Sequence, residues 1–218
     1  NDYGIYVRNA LNTTIGGDSP AKGNIVGFNH VNGIRLFKVN TIDTVVQNNF
    51  VGVLPDGGII ANEGDGISID EAAPTLVQEN TVGGNGGYGI AISNISETTL
   101  RRGRNKSLSI VTAKLLGNIV GIAKTSLGAT LATPNGLGGS KFSDVIGGAI
   151  GELANPALAN IFSANNGPGL EMLRCANMKI FGSFFGTDKT GMLGIGNTGP
   201  GIEVSESTLT EVHQATIS

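Results

Sequence analysis

A glycine followed by an aliphatic, an arbitrary and a second aliphatic residue recurs roughly every twenty to thirty residues. Alternation of an inward, an outward and an inward side chain is the two-residue period of a β-strand. Recurrence at this interval indicates one supersecondary unit stacked on copies of itself. Six copies are clear and the copy at Gly138 is degenerate; they begin at Gly4, Gly33, Gly66, Gly89, Gly138, Gly169 and Gly201.

The aliphatic positions of these copies predict a continuous inward column with almost no aromatic content. The predicted set is Ile34, Leu36, Ile67, Ile69, Ile90, Ile92, Leu170, Met172, Ile202 and Val204. The outward positions carry mixed polarity and no Trp, so they predict a solvent face or a contact face for another chain, not a platform for stacking sugars. These positions are Tyr6, Arg35, Ser68, Ala91, Glu171 and Glu203.

Three segments before these copies share a second pattern, in which two asparagines lie five residues apart and the repeat glycine follows the first by nine. Asparagine tolerates the left-handed backbone conformation and bonds to neighbouring backbone groups. Stacked coil over coil, such amides form a ladder that satisfies polar groups in the turns. We therefore expect Asn24, Asn80 and Asn160 to lie in one structural ladder.

Composition excludes several classes of protein. Charged residues are 14% of the chain and the net charge is −3, so there is no basic stripe for nucleic acid. A single cysteine, Cys175, excludes an internal disulfide. No apolar run approaches the length of a membrane span, which predicts no membrane insertion. We expect one domain over residues 1–218, as a segment of a larger protein, with an irregular basic insertion over residues 94–116.

Alternating helices are the rival architecture for parallel strands, but the intervals between copies are too short and too rich in glycine for helices of ten residues. Only residues 112–117 and 149–159 could hold one or two helical turns. The sequence therefore favours stacked strands over a β–α–β arrangement.

Residues 184–191, Phe-Phe-Gly-Thr-Asp-Lys-Thr-Gly, and 197–202, Asn-Thr-Gly-Pro-Gly-Ile, resemble tandem repeats of large extracellular surface proteins. Those repeats are similar to the right-handed parallel β-helix of the pectate-lyase-like superfamily. The resemblance implies an all-β, right-handed parallel β-helix, or solenoid, of about seven to eight coils with loop insertions. It also implies an extracellular or cell-surface location. The family includes polysaccharide lyases, hydrolases, epimerases, tailspikes, adhesins and filaments, so the fold alone does not select a function.

Catalytic motifs of the family are missing. Hydrolases resembling polygalacturonase carry an Asp-Asp pair, Gly-His-Gly and Arg-x-Lys, and none of these occurs here. The weak catalytic candidates are Asp65 and Asp70, on either side of one strand. With Glu63 and Glu71 they are also weak candidates for calcium ligands. The two histidines, His30 and His213, have no metal-ligand spacing, and no cofactor is expected.

Three sequons for N-glycosylation begin at Asn12, Asn94 and Asn105, about as many as chance produces in a chain this rich in Asn, Ser and Thr. The first hypothesis is a non-catalytic structural or adhesive β-helix module, a rigid stalk or filament component. Its expected partners are other β-helix segments, copies of itself, and cell-surface or matrix polysaccharide. The alternative is a polysaccharide lyase or glycoside hydrolase, or a glycan-binding module like a tailspike.

Overall fold

The computed structural model describes residues 1–95, 113–124 and 128–218. Three seven-stranded sheets run along it, and every strand pair within them is parallel. The first sheet holds β1 (Tyr3–Arg8), β4 (Asn32–Phe37), β7 (Ile67–Asp70), β10 (Tyr88–Ile95), β15 (Gly138–Val145), β18 (Leu170–Leu173) and β21 (Ile202–Ser205). The predicted repeat copies, including the degenerate one at Gly138, therefore supply the first sheet.

The second sheet holds β2 (Thr14–Gly16), β5 (Thr44–Gln47), β8 (Thr75–Gln78), β11 (Ala113–Leu116), β16 (Gly148–Ile150), β19 (Lys179–Phe181) and β22 (Glu211–His213). The third holds β3 (Ile25–Val26), β6 (Phe50–Val51), β9 (Thr81–Val82), β12 (Ile119–Val120), β17 (Ile161–Phe162), β20 (Phe184–Phe185) and β23 (Thr216–Ile217). Each coil contributes one strand to each sheet. The prediction of an all-β parallel β-helix is confirmed, with seven coils.

Loops leave this solenoid at a few places. β13 (Ile122–Lys124) and β14 (Thr130–Ala132) form an antiparallel hairpin beside the third sheet. A short 3₁₀ helix covers Pro20–Lys22 and another covers Pro156–Leu158. The second 3₁₀ helix lies inside the segment 149–159 where a helical turn was expected. The other such segment, 112–117, contributes strand β11 instead, because residues 113–116 pair with β8 and β16.

The core consists of one inward column from each sheet. In the first sheet the strands pair in register, so Ile34, Ile67 and Ile90 lie one above another, and the predicted column is buried from Ile34 to Met172. The prediction is wrong for Val204, which is 46% exposed because β21 is the last strand of its sheet. Ile202 is only partly buried and packs against the core.

The inward column of the first sheet includes one aromatic residue, Phe142, which is fully buried. Two further fully buried rings, Phe162 and Phe185, belong to the third sheet and lie outside the predicted column. The rings of Phe162 and Phe185, on neighbouring strands of the third sheet, stack with their centroids 5.3 Å apart. The repeat at Gly138 places Ser140 and Phe142 inward, so a small side chain and a large one replace two aliphatics.

Two asparagine ladders run along the solenoid. One joins Asn24, Asn49, Asn80, Asn118 and Asn160, with each amide Nδ2 donating to the next Oδ1 at 2.8–3.0 Å. The other joins Asn29, Asn62, Asn85, Asn135, Asn165 and Asn197 at 2.7–3.0 Å. Buried amides require such partners. The three asparagines expected to share a ladder thus lie in the first one, and two further members separate them.

Single residues in the left-handed conformation turn the chain between sheets, and they are not the ladder asparagines. Glu79 (φ 53°) and Gly117 (φ 63°) directly precede the ladder residues Asn80 and Asn118. A second column with positive φ follows the first sheet: Asn9, Lys38, Glu71, Asn94, Asp144, Arg174 and Glu206. The coil geometry therefore imposes this conformation even on residues that disfavour it.

Candidate functional site

The outward side chains of the first sheet form a continuous surface, called here the first-sheet face. Its middle row consists of Tyr6, Arg35, Ser68, Ala91, Lys141, Glu171 and Glu203, each opposite the next in register. Its second row consists of Arg8, Phe37, Asp70, Ser93, Ser143, Leu173 and Ser205. Neighbouring strands lie about 4.8 Å apart, so side chains within a row contact one another.

A first polar network is centred on Arg35. Its guanidinium donates from Nη1 to Ser68 Oγ and from Nη2 to Asp70 Oδ2, both at 3.1 Å. The other Asp70 oxygen accepts from Ser93 at 3.3 Å and from the Asn94 amide at 2.8 Å. The Arg35 guanidinium also lies over the Phe37 ring, 4.9 Å from its centroid. These contacts hold Arg35 against the sheet.

A second network is centred on Tyr88, whose hydroxyl donates to Glu171 Oε2 at 2.5 Å. Lys141 Nζ lies 2.8 Å from Glu171 Oε1 and 5.2 Å from the centre of the Tyr88 ring. Burial and the hydrogen bond to Glu171 raise the pKa of the Tyr88 hydroxyl. Burial raises the pKa of Glu171, but the hydrogen bonds from Lys141 and Tyr88 outweigh it and leave the pKa below its ordinary value. Glu171 is therefore ionised at neutral pH, and the Tyr88 hydroxyl keeps its proton and acts as a hydrogen-bond donor.

Asp65 adjoins this network. Its Oδ1 accepts the backbone N–H of Tyr88 at 2.9 Å, and its own N–H donates to Asn32 Oδ1 at 2.8 Å. Burial raises the pKa of Asp65 above its ordinary value, against the lowering effects of the Tyr88 N–H and of the Arg35 and Lys141 charges. Asp65 is thus a partly buried carboxyl that keeps its proton to a higher pH than a solvated aspartate does.

Small side chains separate the two networks. Ala91 occupies the middle row between Ser68 and Lys141, and Ser93 and Ser143 lie beside it in the second row. Three strand spacings, about 14 Å, separate the backbone of Arg35 from that of Lys141. This stretch of small side chains with polar groups at both ends is called here the recess, and its floor consists of Ala91, Ser93 and Ser143.

The predicted catalytic pair is not brought together. Asp65 and Asp70 lie at opposite ends of one extended strand, so their α-carbons are about 16 Å apart. Paired carboxylates of glycosidases lie about 5–9.5 Å apart. Asp70 is in addition held in an ion pair with Arg35 at 3.1 Å. The two residues do not form a hydrolytic pair.

The predicted calcium ligands are not brought together either. Glu63 pairs with His30 at 3.0 Å and Glu71 with Lys38 at 3.7 Å. Across the described ranges, no group of three or more His, Cys, Asp or Glu side chains has a geometry suited to a metal ion. Glu63, Asp65, Asp70 and Glu71 lie apart because the backbone between Asp65 and Asp70 is extended and forms strand β7. It does not fold into a loop that could surround an ion.

Two predicted glycosylation sites lie in the described part of the chain. Asn12 is exposed in the turn before β2, and Asn94 is exposed near the end of β10. Asn105 and most of the predicted basic insertion lie outside the described residues. The described helical segments include none that is long and apolar enough to cross a membrane.

Sequence reasoning missed Tyr88 and Lys141. Lys141 belongs to the degenerate repeat, and Tyr88 precedes its repeat glycine, as Asp65 precedes Gly66. The position before the repeat glycine is the signal that could have found Tyr88, and the register of the degenerate repeat could have found Lys141. The sequence also did not predict the aromatic contact on this face, in which Tyr6 stacks on Tyr3 with ring centroids 5.1 Å apart.

These features define a parallel β-helix repeat protein with a mixed-charge recess on one sheet. No protein-family model matches the sequence, and no curated protein matches it. Similar solved structures include the periplasmic alginate epimerase AlgG, with a TM-score of 0.46 and 13% identity over 98% of this chain. Another is the A-module of the Azotobacter vinelandii mannuronan C-5 epimerase AlgE4, with a TM-score of 0.44 and 8% identity over 96% of this chain.

This chain covers 36% of the AlgG chain and 65% of the AlgE4 chain, less than two thirds of either. Similarity of this degree concerns the fold alone. The function has to be argued from the residues of the first-sheet face.

Proposed function

We propose that this chain is a non-catalytic, adhesive β-helix module that binds a polysaccharide in the recess of the first-sheet face. The observation that carries the proposal is the floor of Ala91, Ser93 and Ser143 between the Arg35 and Tyr88 networks. A sugar ring needs a shallow surface that its apolar face can contact, with donors and acceptors at its rim for the hydroxyl groups. This recess offers both.

Rigidity of the site favours binding. The floor residues belong to strands paired on both sides, and the rim side chains are fixed by ion pairs and hydrogen bonds before any ligand arrives. A preorganised site loses little side-chain entropy on binding. The middle row also continues along the solenoid axis beyond both ends of the recess, which suits a chain ligand better than a small molecule.

An adhesive role accounts for the rest of the molecule. Seven stacked coils with two continuous asparagine ladders make a stiff rod, and each coil is stabilised by its neighbours. We place such a rod outside the cell or at the cell surface, where polysaccharide is available. Cell fractionation with an antibody against the chain tests this location, and recovery from the cytosolic fraction alone would contradict it.

The binding proposal is tested by filling the recess. Ala91→Phe places a ring on the floor without removing any rim group, and phenylalanine suits an outward strand position. Thr81→Phe is the matched control, because Thr81 faces outward on the third sheet, in the coil that precedes Ala91. Affinity electrophoresis against a panel of soluble polysaccharides should show retardation of the wild type and the control, and at least a tenfold loss for Ala91→Phe. Equal retardation of all three proteins would place binding elsewhere.

A second candidate is acid–base chemistry on a bound sugar, favoured by two groups in one place: Asp65, a carboxyl with a raised pKa that accepts the backbone N–H of Tyr88, and the Tyr88 hydroxyl, which donates to Glu171. Groups whose pKa values are shifted within one site are frequent in enzymes. Turnover of a polysaccharide that is abolished by Tyr88→Phe or Asp65→Asn, with binding retained, would establish this activity. Turnover that survives both substitutions would contradict it.

A further inference from the structure

We infer that the polysaccharide bound in the recess is uncharged, an inference that rests on the proposed function and names its ligand class. Among the described residues, Arg35 and Lys141 are the cations that border the recess. Each is already matched by a carboxylate of the same face, Asp70 at 3.1 Å and Glu171 at 2.8 Å.

In the part of the chain that the structure describes, these two ion pairs leave no unmatched cation at the recess for an anionic sugar. The side chains of Arg35 and Asp70 are 21% and 19% exposed, and those of Lys141 and Glu171 are 29% and 19% exposed. A ligand carboxylate would have to displace an internal partner from a partly buried pair. Removing one partner of such a pair leaves the other charge uncompensated, which is costly.

The remaining charged groups of the face supply no excess of positive charge. Glu203 continues the middle row beyond Glu171, and Arg8 lies at the far end of the second row, beyond Phe37. The two rows of the face thus carry three cations and three carboxylates among the described residues. On the adjoining turn column, Lys38 is 3.7 Å from Glu71, and Asp144 is 2.7 Å from Arg174.

An uncharged polysaccharide meets no such repulsion. Its hydroxyl groups can donate to the carboxylate oxygens of Asp70 and Glu171 without breaking either ion pair, because each oxygen accepts more than one hydrogen bond. The carboxylates of Asp70 and Glu171 repel an anionic sugar and accept hydrogen bonds from the hydroxyl groups of an uncharged one. They therefore discriminate between uncharged and anionic polysaccharides.

The experiment compares five polysaccharides by affinity electrophoresis: the neutral xyloglucan, galactomannan and dextran, and the anionic polygalacturonate and alginate. We expect retardation by at least one neutral polysaccharide, blocked by Ala91→Phe, and binding at least tenfold weaker to both anionic ones. Raising the salt concentration should leave neutral binding unchanged, since no net charge is neutralised.

A charge variant sharpens the comparison. Glu203→Lys reverses the charge of an exposed residue beside the recess, and Glu206→Lys makes the same change of net charge on the adjoining turn. Binding to polygalacturonate should increase several-fold for Glu203→Lys and less for Glu206→Lys. Preference of the wild type for an anionic polysaccharide, blocked by Ala91→Phe, would overturn this inference and leave the proposed function intact. Absence of binding to all five would overturn both.

Discussion

Replacing Asn80 by alanine tests whether the asparagine ladders hold the coils together. Asn80 is fully buried. Its Oδ1 accepts the backbone N–H and the side-chain amide of Asn49, both at 3.0 Å. Its Nδ2 donates to the Val46 carbonyl at 2.9 Å and to Asn118 Oδ1 at 3.0 Å. Asn80→Ala removes four hydrogen bonds that water cannot replace.

The magnitude follows from these four bonds. The buried Asn49 N–H is left without its acceptor, which costs about 1–3 kcal/mol, and each of the other bonds contributes about 0.5–1.5 kcal/mol. We therefore expect Asn80→Ala to lower the free energy of unfolding by about 2.5–7.5 kcal/mol. Asn24 is the matched control, because it is the exposed first member of the same ladder. Asn24→Ala loses the amide bond to Asn49 Oδ1, which still accepts the Asn24 backbone N–H, so the expected cost is about 1 kcal/mol.

Equilibrium unfolding in urea measures both variants. The midpoint should fall far more for Asn80→Ala than for Asn24→Ala, while the dependence of the free energy on urea concentration stays that of the wild type. Equal losses for the two variants, or a loss below about 1 kcal/mol for Asn80→Ala, would refute the reasoning, since water or relaxed backbone would then satisfy the broken bonds.

Three further substitutions have expected effects on stability. Ser140→Ala should leave the melting temperature unchanged or raise it, because Ser140 Oγ is buried with no hydrogen-bond partner among the described residues; a clear drop would contradict this. Asp65→Asn should flatten the pH dependence of stability. Because the pKa of Asp65 is raised in the folded protein, the wild type loses stability as the pH rises from 3.8, the ordinary pKa of aspartate, through the pKa in the folded protein. A variant whose stability falls over the same pH range would contradict this expectation. Glu79→Gly should raise the free energy of unfolding by about 0.5–1 kcal/mol in urea titration, since glycine adopts a positive φ without strain; unchanged or lower stability would count against strain at this turn.

The first sheet was predictable from the sequence because its strands are four to eight residues long and alternate inward and outward. The strands of the third sheet show no such alternation, because each is two residues long. The conformations of Lys38, Glu79 and Arg174 were not predictable either. Each residue type disfavours a positive φ, and only stacking on the neighbouring coils imposes it.

The candidate site was predictable in part. The outward positions followed from the strand period, so Arg35, Ala91 and Glu171 could be placed in one row. The contact between Tyr88 and Glu171 spans 83 residues and joins coils that are not adjacent, which no local pattern encodes. The separation of Asp65 from Asp70 did follow from their spacing, since five residues of extended chain cannot bring two carboxylates together.

The ion pair of Lys141 and Glu171 has two possible roles, and exchanging the two residues separates them. Opposite charges on neighbouring strands stabilise a sheet in either order, so Lys141→Glu combined with Glu171→Lys should retain the urea midpoint of the wild type. The exchange removes the carboxylate that accepts a hydrogen bond from the Tyr88 hydroxyl. It also moves the cation from β15 to β18, one strand further from the recess. If the pair serves only the stacking of coils, polysaccharide binding survives together with stability. We expect binding to fall at least tenfold while stability is retained, because the recess needs the carboxylate at Glu171 and not merely a pair of charges.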